Sequence, residues 1–189
     1  MICRDALGLA GAAAGAQPHT ISRVTLHHTG VPLDGADGRV PARLRAHQAS
    51  HQARGWADVA YHLAVDRSGH VYELRDVGSA GDTATDYDPT GHLLIVCEGD
   101  YGRDEPSEVQ LERLAELVAH AAQHHGVPVG SLSGHRDHAA TACPGDALQA
   151  RLAELRTRAG ALADEVDVVL EAVCGDAGRD RVRAIEATA

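Results

Sequence analysis

The sequence has no phenylalanine, one tryptophan and four tyrosines among its 189 residues. Its core must therefore be built from Val, Leu, Ile and Ala, and the few rings are better candidates for special duties than they would be elsewhere. No run approaches the roughly 20 consecutive apolar residues that a membrane-spanning helix needs. Clusters of basic residues are also missing, and the formal net charge is -10. Nucleic acid, whose phosphates reward such clusters through counterion release, is excluded as a partner. An acidic chain gains nothing electrostatically from an anionic membrane or polymer, so any ligand must be held by a shaped site. Cysteine is sparse: Cys3, Cys97, Cys143 and Cys174 are too scattered to look like a disulfide framework, and they do not fix the compartment. A convincing signal peptide is lacking too. Residues 1–16 end in small residues, but Asp5 stands where a positive charge belongs and Gly and Ala leave the middle weakly apolar. Synthesis in the cytoplasm is the expectation.

What is present is the balance of a soluble globular protein, 44% hydrophobic and 23% charged. The length suits one well-buried core with terminal extensions, not two enzyme domains and a linker. Residues 21–28 alternate and carry β-branched side chains, which predicts a strand ending at Thr29-Gly30 with His27 and His28 at its tip. A Gly/Asp/Pro-rich loop follows, and 41–53 read as a helix opening on Pro41. Apolar runs at 57–66 and 70–74, joined by Asp66-Arg67-Ser68-Gly69, predict a hairpin with Tyr61 inside its first strand. Residues 78–91 lack any period and read as a long surface loop, whereas Leu93–Cys97 read as a buried central strand. Ser107 and Gln110 form a capping box that opens a helix with Leu111, Leu114, Ala115, Val118 and Ala122 on one face, stopped at Gly126. Strand and helix alternate, so the fold class is α/β: a mixed central β-sheet flanked by helices.

The strongest local signal is the stretch 134–145, Gly-His-Arg-Asp-His-Ala-Ala-Thr-Ala-Cys-Pro-Gly, in which His135 and Cys143 can hold one ion from a single loop. Mixed imidazole and thiolate ligands suit a borderline-soft ion such as zinc. A third ligand is needed, and the His27-His28 pair is the obvious donor. Neighbouring strand residues face opposite ways, so only one of the two reaches the metal. Three protein ligands leave a fourth position open, the pattern of a catalytic zinc.

Three blocks, Leu26-His-His-Thr-Gly30, Gly55-Trp-Ala-Asp-Val-Ala-Tyr-His-Leu63 and Gly134-His-Arg through Cys143-Pro-Gly145, stand in an order that resembles the amidase-2 and peptidoglycan recognition protein family, which includes the phage lysozymes that are amidases. The similarity covers roughly residues 2 to 155. It implies the peptidoglycan-recognition-protein-like amidase fold and zinc-dependent cleavage between N-acetylmuramic acid and L-alanine. It selects His27, His135 and Cys143 as ligands, leaves His28 to the other face, and places Tyr61 and Thr141 at the catalytic centre. His62 and Trp56 are candidates to line the groove, Trp56 equally for the core. The family's loop usually reads Gly-x-His-Thr, whereas Gly81-Asp-Thr puts Asp82 where His is expected, with Thr83 beside it; both are assigned to substrate binding.

The partners implied are peptidoglycan or muropeptide, reached at the cell wall after release or export. A non-catalytic muropeptide-binding module and an amidase-fold partner of a larger assembly are the alternatives. The division expected is an amidase domain at 1–155 and a helical extension at 156–189. There, Leu148, Leu152, Leu155, Ala159, Leu162, Val166, Val169 and Val173 recur at alternating spacings of four and three, a heptad seam on one long helix. Either its outer half pairs with a second copy or a partner, or the stripe folds back as an ordinary amphipathic helix, with Gly160 marking a break.

Overall fold

The computed structural model describes residues 1–32 and 37–189, so part of the Gly/Asp/Pro-rich loop, at 33–36, lies outside the described residues. In chain order the elements are α1 (Arg4–Leu7), β1 (Arg23–His28), α2 (Val40–Ala53), β2 (Leu63–Val65), β3 (Val71–Glu73), β4 (His92–Cys97), α3 (Glu108–His125), β5 (Ser133–Gly134), α4 (Asp146–Ala150), α5 (Leu152–Glu165) and α6 (Gly175–Glu186). The strands form one sheet in the order β3-β2-β4-β1-β5. β2, β4, β1 and β5 run parallel to one another and β3 returns antiparallel to β2, which makes the sheet mixed, as the sequence predicts.

All six residues of β4 are buried, the condition of a central strand covered on both faces. Strand alternation divides the core in two. Val24, Leu26, Leu93, Ile95 and Cys97 meet α3 and α5 on one side. Ala64, Tyr72 and Val96 meet α1, α2 and α6 on the other. Ser107 caps α3, its Oγ accepting from Gln110 N at 3.1 Å, and Gly126 ends the helix in the left-handed region at φ 66°.

Two expectations are corrected. Tyr61 is not in a strand, because β2 begins only at Leu63. The backbone just before it bonds outside the sheet: Ala60 N donates to His51 Nδ1 and Ala60 O accepts from Asp82 N. The long tail helix is also absent. α5 ends at Glu165 and Val166 takes extended geometry. The run Val166-Asp-Val-Val is poor in helix formers, and its backbone finds partners on α3: Val168 N donates to Gln123 Oε1 at 2.9 Å and Val168 O accepts from His120. Val173 then bonds to Met1. Leu152, Leu155 and Ala159 are buried in the core beside α3, so the first half of the seam folds back. The boundary drawn at residue 155 falls inside α5. A Cys3–Cys174 disulfide, which the spacing did not reveal, joins the start of α1 to the start of α6.

Candidate active site

Sheet register builds the site. β1 pairs with β5 so that Leu26 lies opposite Gly134, which sets the next residues, His27 and His135, side by side with ring centroids 4.5 Å apart. The loop after β5 closes when Arg136 N donates to Cys143 O at 2.9 Å, and Cys143 Sγ comes to 3.7 Å from His27 Nδ1. Ligand atoms of His27, His135 and Cys143 all lie within 4.8 Å of one another. Gly145 lets this loop pass close to the chain after β4: at φ 92°, a Cβ there would stand 2.2 Å from the Tyr101 carbonyl carbon.

His27 shares the sheet face of its register partner Val96, whereas His28 matches Cys97 on the other face. His28 Nδ1 accepts from Tyr101 N at 3.2 Å, while its backbone N–H points to Cys143 Sγ at 3.4 Å. Burial holds the His27 pKa well below its ordinary value, helped by the neighbouring His135. Burial also lowers His135, with His138 contributing. Both imidazoles are therefore neutral at pH 7, the form that binds metals. Burial pushes the Cys143 thiol up to about 11, against the pull of the His28 N–H and of Arg136. His27 Nε2 is buried with no hydrogen-bond partner among the described residues.

The three residues open on a cleft of about 200 Å³ that Tyr61, Thr141, Trp56, Asp82 and Thr83 also line. The Tyr61 ring lies 5.1 Å from that of His27, and burial raises its pKa far above the ordinary tyrosine value, so its hydroxyl stays a donor. Thr141 Oγ1 accepts from Cys143 N at 3.2 Å, which orients the cysteine turn. Thr83 Oγ1 lies 2.7 Å from Thr85 Oγ1. Asp82 pairs with Arg75 at 2.7 Å. His62 does not line the groove. It is fully buried, its Nε2 bonded to Ser79 O and its Nδ1 accepting from Leu94 N, because the residue after Tyr61 turns into the sheet.

Sequence reasoning missed three contributors. Thr85 Oγ1 lies 2.7 Å from His135 Nε2 and so holds that ring. His51 lines the cleft between Trp56, at 4.8 Å, and Tyr61, at 6.0 Å. Arg75 underlies Asp82. None carries a spacing signal; only His51, on the last turn of α2 just ahead of the Gly55-Trp56 block, stood near a recognised motif.

With this geometry in view, comparison with known proteins is decisive. Residues 17–146 match the N-acetylmuramoyl-L-alanine amidase family. The chain belongs to that family. Among its relatives is the N-acetylmuramoyl-L-alanine amidase of Sus scrofa, 34% identical over 128 residues that make up 65% of this chain and 21% of that protein. The chain thus spans about a fifth of the length of that relative. Drosophila PGRP-LB superposes with a TM-score of 0.71 at 25% identity, covering 80% of this chain and 91% of that one. Peptidoglycan recognition protein-LE, solved in complex with tracheal cytotoxin (monomeric diaminopimelic acid-type peptidoglycan), superposes at 0.73 with 22% identity and covers 82% and 92% of the two chains. The amidase-family fold expected from the three blocks is therefore the fold observed, with β1, which ends in His27 and His28, beside β5, which leads into His135.

Proposed function

We propose that this protein hydrolyses the amide bond between N-acetylmuramic acid and L-alanine of peptidoglycan, with zinc held by His27, His135 and Cys143. The observation that carries the reading is the convergence of two neutral imidazoles and a thiol within 4.8 Å at the wall of a cleft. The residues fit the metal. With Zn–S of ~2.3 Å and Zn–N of ~2.0 Å, a thiolate and an imidazole on one tetrahedral ion stand about 3.5 Å apart, close to the 3.7 Å between Cys143 Sγ and His27 Nδ1. A cation at this place also offsets the burial that disfavours the Cys143 thiolate.

When bound, zinc supplies Lewis-acid polarisation and a water acidic enough to ionise near neutral pH. The chain's own residues do the rest. Tyr61, kept protonated by burial, donates a hydrogen bond toward the oxygen that gains charge when the amide carbonyl is attacked. Thr141 and Thr85 hold the cysteine turn and the His135 ring in place. Trp56 and His51 provide the ring surface on which a sugar or peptide rests. The Cys3–Cys174 bond is of a kind that persists outside the reducing cytoplasm, which supports action at the cell wall after release or export.

The test is to incubate purified protein with peptidoglycan and measure newly exposed L-alanine amines, before and after chelation and after zinc is returned. Amine release that a chelator abolishes and zinc restores is the expected result. Binding without release identifies a muropeptide-binding module instead, and activity in protein free of transition metal overturns the mechanism.

A further inference from the structure

Asp82 sits where two depressions meet. One is the cleft holding His27, His135 and Cys143; the other, of about 500 Å³, runs away past Gly81 and Tyr87 to Thr90. The two share Trp56, Asp82, Thr83 and Thr85 along their common wall. Gly81 brings the Asp82 backbone against the Tyr61 segment: a Cβ at Gly81 would lie 2.6 Å from Ala60 O and 2.4 Å from Leu94 Cδ1.

The Asp82 side chain is 29% exposed, while that of its partner Arg75 is only 3% exposed. The guanidinium lies beneath, donating to Asp82 Oδ2 at 2.7 Å and to Val59 O at 3.2 Å. Arg75 reaches the wall of the larger depression but not that of the cleft holding His27, so on the cleft side a ligand meets the Asp82 carboxylate and not the Arg75 cation. Among the described residues Oδ1 has no donor. An ionised carboxylate can only accept hydrogen bonds. A histidine at this position, as the sequence resemblance led us to expect, can donate, so the aspartate reverses the polarity of the groove at this point.

Taking the amidase reading for the substrate class, we infer that Asp82 sets which stem peptides the groove accepts: it favours a stem that presents an N–H group, a carboxamide or an amine, at this place over one that presents a second carboxylate. A carboxamide or ammonium completes a charge-assisted bond to Oδ1. A carboxylate has no proton to give, meets like charge at contact distance and loses its hydration. Arg75 is held to Asp82 Oδ2 and Val59 O on the side away from the cleft. A carboxylate elsewhere on the stem has Arg54 to meet it, whose guanidinium lies over the Trp56 ring at 5.8 Å and lines the same cleft.

The single tryptophan provides the readout, since Trp56 lines both depressions. Free stem tripeptides, which have no muramoyl amide bond to cut, are titrated into the full chain and followed by tryptophan fluorescence. Two matched pairs are used: second-residue carboxylate free or amidated, and side-chain carboxylate of a third-residue diaminopimelate free or amidated. The expected result is about tenfold tighter binding of the amidated member in one pair, the scale of a hydrogen bond to a charged group. Asp82→Asn retains an oxygen for Arg75 and presents an NH₂ outward, so the preference is lost or reversed; Asp82→Glu restores its direction. Equal affinities in both pairs, a preference that persists in Asp82→Asn, or no binding of any stem overturns the assignment. Amine release from muropeptide is scored separately: if it fails while the preference stands, the amidase chemistry falls and the role of Asp82 holds.

Discussion

Cys143 Sγ and His27 Nδ1 stand 3.7 Å apart although 116 residues separate them. Their meeting depends on the β1–β5 register and on the loop closed by Arg136 and Cys143. Replacing the thiol by a harder, weaker ligand in Cys143→Ser is expected to remove most metal affinity. His28→Ala keeps the metal, because only the His28 backbone N–H touches the sulfur. Metal content by mass spectrometry after dialysis decides; equal zinc in both variants shows the ligand set to be wrong.

Tyr61→Phe removes a hydroxyl that burial keeps protonated, without touching the three ligands. Turnover is expected to fall roughly tenfold or more, the scale of losing one oriented donor to a developing oxyanion. Zinc content stays at the wild-type level. Unchanged turnover makes the tyrosine structural.

Thr85→Val keeps the shape of the loop and deletes the hydroxyl 2.7 Å from His135 Nε2. Groups that orient a ligand histidine are typically worth about tenfold or more in metal affinity. A competition titration against a chromophoric chelator measures it, and an unaltered zinc affinity removes Thr85 from the ligand support.

His62 makes stability pH-dependent. Burial lowers its pKa from 6.5 to about 4, so between these values the unfolded chain binds a proton that the folded one refuses. Its contribution is therefore fully present above pH ~6.5 and is lost as pH falls through that window. Glu98 acts in the opposite sense: burial raises it from 4.5 to about 7 despite Arg43, so its contribution is lost as pH rises over that range. Denaturant melts from pH 4 to 6.5 are expected to show a shallower pH slope for His62→Asn than for wild type, with lower stability throughout. Parallel slopes place the titration elsewhere.

The Cys3–Cys174 bond closes a loop of 171 residues and ties α1 to α6, where Val182 and Ile185 complete the core beside α2. Serine at both positions is expected to lower unfolding free energy by about 2–4 kcal/mol. Zinc binding survives at low temperature, since neither cysteine lies near the cleft. A reducing agent that leaves the thermal midpoint of the wild-type protein unmoved argues that the pair is not bonded in solution.

Much of this protein was legible locally. The alternation of 21–28, the apolar run of β4 and the Ser107 and Gly126 caps each act through near neighbours in the chain, and each forms as read. His27, His135 and Cys143 each stand in a recognisable local block of the sequence. Other features depend on partners far along the chain. The Val166 turn follows from hydrogen bonds offered by His120 and Gln123; the burial of His62 from Leu94 and Ser79; the hold on His135 from Thr85; and the seat of Asp82 from Arg75. Sequence periodicity reports which face of an element is apolar. It does not report which distant backbone or side chain will satisfy a polar group, because packing and register decide that, and at Val166 and Tyr61 those distant partners outweighed the local pattern.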